Sequence, residues 1–329
     1  MVSKNLLEFA AKSYGFSVDM LEHIPRISGK IENQIYSFNK YGKKYLIKFD
    51  PISSQYNNQL RETRAAMDFN YYLAENNINV SVPLKSTNGE LVIDGEDYII
   101  TAFNWLYGET WSFDGSNGEM SFNWGKVMGE IHRAAKDYKP QNEHDVLRKI
   151  FDRRYQVSFF DNLKIYPSVY EISQELMGEI IALPKDKDSF GIIHYDMHQG
   201  NFYTLGNKVS VFDFGDSIYG WFVLDIAISL CHALWWGREG NKADDFINII
   251  IGNFLKGYFS VNKLSNFWLS KIPVFMKYRH LDMDPERHGL GCNRDEWIYY
   301  IENDILFKGI DLKSISGIIE NVDVWCKNI

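Results

Sequence analysis

The sequence predicts an α+β fold in two parts, a small antiparallel-sheet lobe followed by a larger, mostly helical lobe. Three observations carry that expectation. Strand-like alternation is concentrated in residues 1–103, helical spacing dominates 122–329, and over 104–121 both patterns weaken around Gly108, Gly115 and Gly118, as in a hinge. A length of 329 residues also exceeds what one hydrophobic core usually spans.

In the first lobe, Ser3 can cap a helix over 3–14, whose Leu6, Leu7, Ala10, Ala11 and Tyr14 share a face and whose end is marked by Gly15. Two strands follow. Tyr36 and Phe38 alternate with polar neighbours; Tyr45, Ile47 and Phe49 point one way while Leu46, Lys48 and Asp50 point the other, and Tyr41-Gly42-Lys43 supplies the turn. A helix is predicted over 58–76, with Glu62, Ala66, Phe69 and Leu73 on one face. Strands over 90–94 and 97–103 are joined at Asp94-Gly95-Glu96. In the second lobe helices are predicted over 122–138, 143–162, 168–182, 222–236, 244–259, 264–280, 294–307 and 312–327. They are interrupted by short strands over 190–194, 201–205 and 208–212.

Composition removes several function classes. The chain carries 35 Lys and Arg against 43 Asp and Glu, a net charge of −8, so it lacks the overall basic balance of a dedicated nucleic-acid binder. Three cysteines, Cys231, Cys292 and Cys326, are odd in number and far apart, which argues against a disulfide framework or a zinc site and for a reducing, cytoplasmic setting. No apolar run is long enough to span a membrane, and the N-terminus has no signal-peptide pattern.

Chemistry concentrates in His194-Tyr195-Asp196-Met197-His198-Gln199-Gly200-Asn201 and in Phe212-Asp213-Phe214-Gly215-Asp216. Phosphoryl transfer needs a carboxylate that orients a hydroxyl and takes its proton, and hard oxygen ligands for magnesium bridging a triphosphate. Asp196 suits the first role; Asn201 and Asp213 suit the second. Lys48 can hold the α- and β-phosphates, and Glu62 on the following helix is its natural partner. Singly, each of these is an ordinary turn, strand or first-turn residue. In the order strand Lys, helix Glu, Asp-x4-Asn, Asp-Phe-Gly, the catalytic reading is the stronger one. His194 and His198 lie four apart but outside a helical pattern and without a third ligand, so His194 reads as loop scaffolding and His198 as a neighbour of the active site. Asp216 is read as a metal or loop support, and Asp225, on an apolar helix, as an anchor of the catalytic loop. The acidic residues Asp282, Asp284, Glu286, Asp295 and Glu296 read as a solvated charged face, with attraction of a cationic acceptor as the alternative.

These motifs resemble the aminoglycoside phosphotransferase and choline kinase-like family, which has the bilobal protein-kinase-like fold. His194 to Asn201, Phe212 to Asp216 and Leu224-Asp225-Ile226-Ala227 follow the family's pattern, as do Gly29-x-x-Glu32-Asn33-x-x-Tyr36, Arg61-Glu62, Trp105-Leu106-Tyr107-Gly108-Glu109 and Gly129-x-x-His132. Trp221-Phe222-Val223 and Glu302-Asn303-Asp304-Ile305 further resemble a bacterial branch of phosphotransferases of unassigned acceptor. The resemblance implies a nucleotide-binding lobe with Gly29 in its phosphate loop and an adenine slot at Phe103, Asn104 and Trp105. It also implies ATP or GTP and Mg2+ as cofactors, and a small-molecule hydroxyl acceptor (an aminoglycoside, choline, homoserine or an amino sugar). Two features depart from the pattern: Tyr195 stands where the family usually has glycine, and Gly29 is the one glycine left in the nucleotide loop. Two other readings of the same fold are a bacterial protein Ser/Thr kinase and a nucleotide-binding pseudokinase scaffold. The short interval between Asp213 and Asp225 favours a small acceptor over a protein, and retention of Lys48, Asn201 and Asp213 favours an enzyme over a scaffold.

Overall fold

The computed structural model describes residues 2–25, 34–53, 58–111, 118–142, 144–151, 163–237, 243–283 and 292–326. Gly29 with its loop pattern, most of the helix predicted over 143–162, and Asp284 and Glu286 lie outside the described residues. The chain divides into two compact units. One comprises Met1–Gly108, Tyr138–Leu147 and Ser210–Asp216; the other comprises Glu109–Asp137, Arg148–Val209 and Ser217–Ile329.

The first unit is built on five antiparallel strands: β1 (Glu22–His23), β2 (Gln34–Lys40), β3 (Lys43–Pro51), β4 (Val92–Asp94) and β5 (Tyr98–Asn104), in the order β1-β2-β3-β5-β4. Tyr41 (φ 51°) and Gly42 (φ 73°) are both left-handed, the geometry of a two-residue hairpin turn that pairs Lys40 with Lys43 and fixes the register. That register turns Phe38, Ile47, Phe49, Ile100 and Ala102 inward against Ala10 and Tyr14 of α1 (Lys4–Tyr14). Burying each large ring contributes on the order of 2 kcal/mol, so a one-residue slip is strongly opposed. The same alternation puts Lys48 and Asp50 together on the opposite face of β3. Helix α1 starts with Ser3 Oγ accepting from Leu6 N–H and ends at left-handed Gly15 (φ 67°), as the sequence predicts. Helix α2 (Gln59–Glu75) buries Ala66, Phe69 and Leu73. Its Phe69 ring meets Phe214 edge-on at 6.4 Å, which pins the Asp-Phe-Gly segment within this unit.

The second unit holds α3 (Gly118–Ala135), α4 (Pro167–Ile181), β6 (Phe190–Ile193), β7 (Phe202–Leu205), β9 (Ile218–Trp221), α5 (Phe222–Trp236), α6 (Ala243–Phe259), α7 (Asn266–Leu269), α8 (Ile272–Asp282), α9 (Arg294–Glu302), β10 (Ile305–Leu306), β11 (Ile310–Asp311) and α10 (Leu312–Cys326). Strand β8 (Lys208–Val211) pairs with β7 and carries the chain to Ser210, where the first unit resumes. Helices α3 and α6 pack backbone to backbone. A Cβ on Gly125 would sit 1.9 Å from Phe254 O, and one on Gly257 would sit 1.8 Å from Phe122 O. Helix α5 is buried on all sides, as its apolar sequence demands. Its polar residues Asp225, Ser229 and His232, spaced by four and three, share one face.

Some expected helices are revised. The helix expected over 264–280 is two, α7 and α8, because Pro273 sits in the first turn of α8 and starts a new helix there. The helix expected over 294–307 ends at Glu302, and Ile305–Leu306 pair instead with Ile310–Asp311. Residues 144–151 are not helical, and Lys149 bridges to Tyr219 of β9, a strand missing from the sequence reading. Among the described residues no helix is long and apolar enough to cross a membrane.

Candidate active site

In the first unit, Lys48 projects from the middle of β3, and its Nζ lies 3.3 Å from Asp50 Oδ1 and 3.3 Å from Asp213 Oδ1. Burial alone would lower the lysine's pKa, but Asp213 and Asp50 together hold it well above the ordinary range, so Lys48 is firmly cationic. Both carboxylates are ion-pair partners of Lys48, and Glu62 is half-buried in the first turn of α2. Asp50 was not singled out from the sequence, although its position two residues after Lys48 on the same strand face was the signal for it. Asp213 has a left-handed backbone (φ 63°), a conformation that aspartate tolerates and that accumulates at functional loops. Asp216 is exposed at the end of a 3-10 turn, Phe214–Asp216.

At the proposed adenine slot, Phe103 of β5 pairs with Leu46 of β3, and Asn104 ends the pairing opposite Tyr45. Asn104 N–H donates to Val82 O at 3.0 Å, its Oδ1 accepts from Val82 N–H, and Trp105 N–H donates to Lys44 O at 3.3 Å. The Lys44 ammonium lies 4.0 Å from the centre of the Trp105 ring. Both N–H groups of this pair are thus engaged within the unit.

The second unit carries the other residues. Asp225 of α5 is fully buried and accepts from the backbone N–H groups of His194 (2.9 Å) and Tyr195 (2.8 Å), and Ser229 Oγ, one turn on, donates to Met197 O at 2.7 Å. The face of α5 that carries its polar residues is therefore the face that fixes the 194–197 loop. Behind Asp225 runs a buried chain: His132 Nε2 is 3.0 Å from Asp225 Oδ2, His132 Nδ1 is 3.0 Å from Tyr258 Oη, and Asn262 Nδ2 donates to Tyr258 Oη at 2.9 Å. One proton arrangement satisfies all of them. Neutral His132 donates from Nε2 to Asp225 and accepts at Nδ1 from the tyrosine hydroxyl. Burial lowers the His132 pKa in spite of the hydrogen bond to Asp225, in keeping with that neutral form.

Asp196 sits at the centre of the loop. Its Oδ2 accepts from Asn201 Nδ2 at 3.0 Å and lies 3.3 Å from His198 Nε2, while its Oδ1 lies 3.5 Å from Arg279 Nη2. Burial would raise the carboxyl pKa, but the His198 hydrogen bond and the Arg279 charge prevail and hold it below the usual range. His198 Nδ1 accepts from Gly200 N–H at 2.9 Å, which leaves its proton on Nε2, facing Asp196. Gly200 is required by this contact, since a Cβ there would meet His198 Cε1 at 2.6 Å. His194 Nδ1 accepts from Asp196 N–H at 3.3 Å, a scaffold role inside the loop. Asn201 commits its amide nitrogen to Asp196 O (2.8 Å) and Oδ2, so its Oδ1 is left as an oxygen donor. The Asn201 amide oxygen in the second unit and the Asp213 carboxylate in the first are each hard oxygen donors of the kind that magnesium takes.

Tyr195, just before Asp196, has φ 69°. Such a backbone explains why glycine is usual at this position in the resembling family. The tyrosine ring lies 5.9 Å from the Arg279 guanidinium. Arg279 was missed in the sequence, where the one available signal was a lone arginine among Phe275, Met276, Tyr278 and Leu281. Its Nη1 donates to Asp282 Oδ2 at 2.8 Å, so Asp282 is an ion-pair partner on α8 and not part of a solvated acidic face.

The profile of the phosphotransferase enzyme family matches residues 23–255, and the chain belongs to that family. It is a phosphotransferase of the small-molecule kinase class, with the protein-kinase-like fold expected from the motif order. It is 31% identical over 291 residues to an amicoumacin kinase of Bacillus subtilis (strain 168), covering 84% of this chain and 82% of the relative. Among solved structures it resembles an amicoumacin kinase in complex with AMP-PNP, Ca2+ and Ami, with a TM-score of 0.77 and 24% identity over 96% of this chain and 97% of the other. It also resembles a microcompartment-associated aminopropanol kinase, with a TM-score of 0.66 and 14% identity over 99% of this chain and 98% of the other.

Proposed function

We propose that the chain transfers the terminal phosphoryl group of ATP, as its magnesium complex, to a hydroxyl of a small molecule. The observation that supports this most is the state of Asp196: an anchored carboxylate held as an anion, with Oδ2 occupied by Asn201 and His198 and Oδ1 more lightly engaged. In this reading Asp196 orients the acceptor hydroxyl and receives its proton as the new O–P bond forms and the bond from the γ-phosphorus to the bridging oxygen of ADP breaks. Lys48 binds the phosphates of the nucleotide. Asn201 and Asp213 are the residues that hold magnesium, which supplies charge neutralisation on the phosphate oxygens when bound. Gly29, Phe103, Asn104 and Trp105 are assigned to nucleotide binding, Glu62 and Asp216 to support. We read 1–103 as the nucleotide-binding lobe, 104–121 as the hinge and 122–329 as the acceptor-bearing lobe. A cytoplasmic setting follows from the need for ATP.

A small acceptor is favoured over a protein because Phe214–Asp216 is followed at once by β9 and then α5, with no long segment on which a polypeptide would dock. Amicoumacin is the first acceptor to test, on the strength of the relative that covers most of the chain. The experiment is ADP release, with ATP or GTP and with or without magnesium, across amicoumacin, aminoglycosides, choline, homoserine and amino sugars. The expected result is acceptor-dependent release that requires magnesium. Asp196→Asn should lower kcat by about 10³-fold or more while leaving the nucleotide KM nearly unchanged. Full activity in that variant would refute the mechanism.

A further inference from the structure

Arg279 follows the buried Phe275, Met276 and Tyr278 on α8 and is itself buried, with 9% of its surface exposed. A guanidinium taken out of water needs partners, and Asp282, three residues on, provides one at 2.8 Å. Among the described residues, the other polar and ring contacts of Arg279 lead to the catalytic loop or to the helix that anchors it. Nη2 lies 3.5 Å from Asp196 Oδ1 and 3.1 Å from His232 Nε2, and the guanidinium lies 5.9 Å from the Tyr195 ring. His232 in turn stacks on His198 (4.9 Å between ring centres, 11° between planes), and His198 faces Asp196 Oδ2 at 3.3 Å. Arg279 thus reaches one carboxylate oxygen directly and the other through two stacked imidazoles. The tautomers agree around this ring. His232 accepts at Nε2 from Arg279, and His198 accepts at Nδ1 from Gly200 and presents its proton to Asp196. At 3.5 Å the direct contact is an ion pair and not a short hydrogen bond, which leaves Oδ1 with capacity for another donor.

We propose that Arg279 is the positioning residue of Asp196, fixing Oδ1 as the oxygen that receives the acceptor hydroxyl and bracing the catalytic loop on α8. The inference rests on the phosphotransfer reading above. It predicts that the side chain of Asp196 loses its orientation, and the enzyme its turnover, when the charge at position 279 is removed.

The test uses the whole chain, MgATP and amicoumacin, with ADP release as the readout; if amicoumacin is not turned over, the acceptor selected by the screen replaces it. Arg279→Ala should lower kcat by about 50-fold or more with the ATP KM within about threefold of wild type, and Arg279→Lys should recover at least about a fifth of the wild-type kcat. Asp282→Asn removes the ion pair within α8 but leaves the contact with Asp196. It should lower the melting temperature while keeping kcat within about fivefold. If Arg279→Ala does not fold, Arg279→Gln, neutral but still able to bond His232, must show the same kcat loss. The proposal fails if Arg279→Ala or Arg279→Gln retains more than about a third of wild-type kcat, or if Asp282→Asn loses as much as they do. Asp196→Asn run alongside separates the two levels: unimpaired turnover in that variant, or no acceptor-dependent ADP release from wild type with any compound in the panel, overturns the phosphotransfer reading itself.

Discussion

Tyr195 holds a left-handed backbone (φ 69°) that costs a non-glycine residue about 1 kcal/mol, and it does so immediately before Asp196. The conformation is maintained because both neighbouring N–H groups, those of His194 and Tyr195, are held by Asp225, and because the ring is packed beside Arg279. A variant series separates these terms. Tyr195→Gly relieves the backbone but removes the ring, and should lower stability by about 1–2 kcal/mol; Tyr195→Val keeps the unfavourable φ, adds β-branching and loses most of the ring, and should cost more than Tyr195→Gly. Urea unfolding of the two variants checks the order, and equal or reversed losses would show that backbone strain is not what position 195 stores. At this scale the sequence was informative wherever spacing along the chain sets chemistry. Asp196, Asn201 and Asp213 stood out as candidates because their loops are local, and the bonding of Asp225 was legible because a lone acid on an apolar helix must be bonded. Arg279 and Asp50 were not, because their meaning lies in what they face. Arg279 is 83 residues from Asp196, and nothing local marks the encounter.

The element that most constrains the helical unit is the crossing of α3 and α6, where Gly125 and Gly257 each admit a backbone carbonyl at a distance no Cβ tolerates. The residues on the other side of each contact are backbone atoms, which cannot rotate away as a side chain could. Gly125→Ala should therefore cost about 3 kcal/mol or more in chemical denaturation, despite the better helix propensity of alanine. Gly178, in α4 with nothing near its Cβ direction, is the control: Gly178→Ala should be neutral or stabilising by about 1 kcal/mol. This contrast also marks how far elements were readable. Helices with a clean apolar stripe and a cap, such as α1, follow from sequence alone. Helix α5, apolar all round, was found by composition, and its polar face acquires meaning only with the loop it holds. Boundaries were misread where a short-range breaker competed with a continuing pattern, as at Pro273. Strand β9 was missed because it runs directly into the apolar helix α5, with no turn signal between the two.

For the whole molecule, the distribution of buried histidines predicts where acid acts first. His132 and His280 are buried in the helical unit, and burial lowers the pKa of both, that of His280 from 6.5 to about 3. A histidine whose folded value lies below its unfolded one binds more protons when unfolded, so stability falls as pH drops through 6.5 and continues to fall until the folded value is reached. For His280 alone the loss at pH 5 is on the order of 2 kcal/mol relative to pH 8, and His132 acts in the same direction. Asp196, held below the usual carboxylate range, adds a loss only at more acid pH, where its unfolded form begins to protonate. All three groups belong to the second unit. Hydrogen exchange of the intact chain at pH 7.5 and pH 5, corrected for the intrinsic pH dependence of exchange, should show protection falling first in α3, α5 and α8 while β2, β3 and β5 stay protected. The ring of His280 packs on Phe307 at 3.7 Å, and His280→Asn keeps a polar side chain at that place while removing the titration. The variant should be less stable than wild type at pH 7.5 because the ring contact is lost, yet its melting temperature should fall less steeply toward pH 5. An unchanged slope would mean that His280 does not set the acid limb, and simultaneous loss of protection in both units would mean that the two do not respond to acid separately.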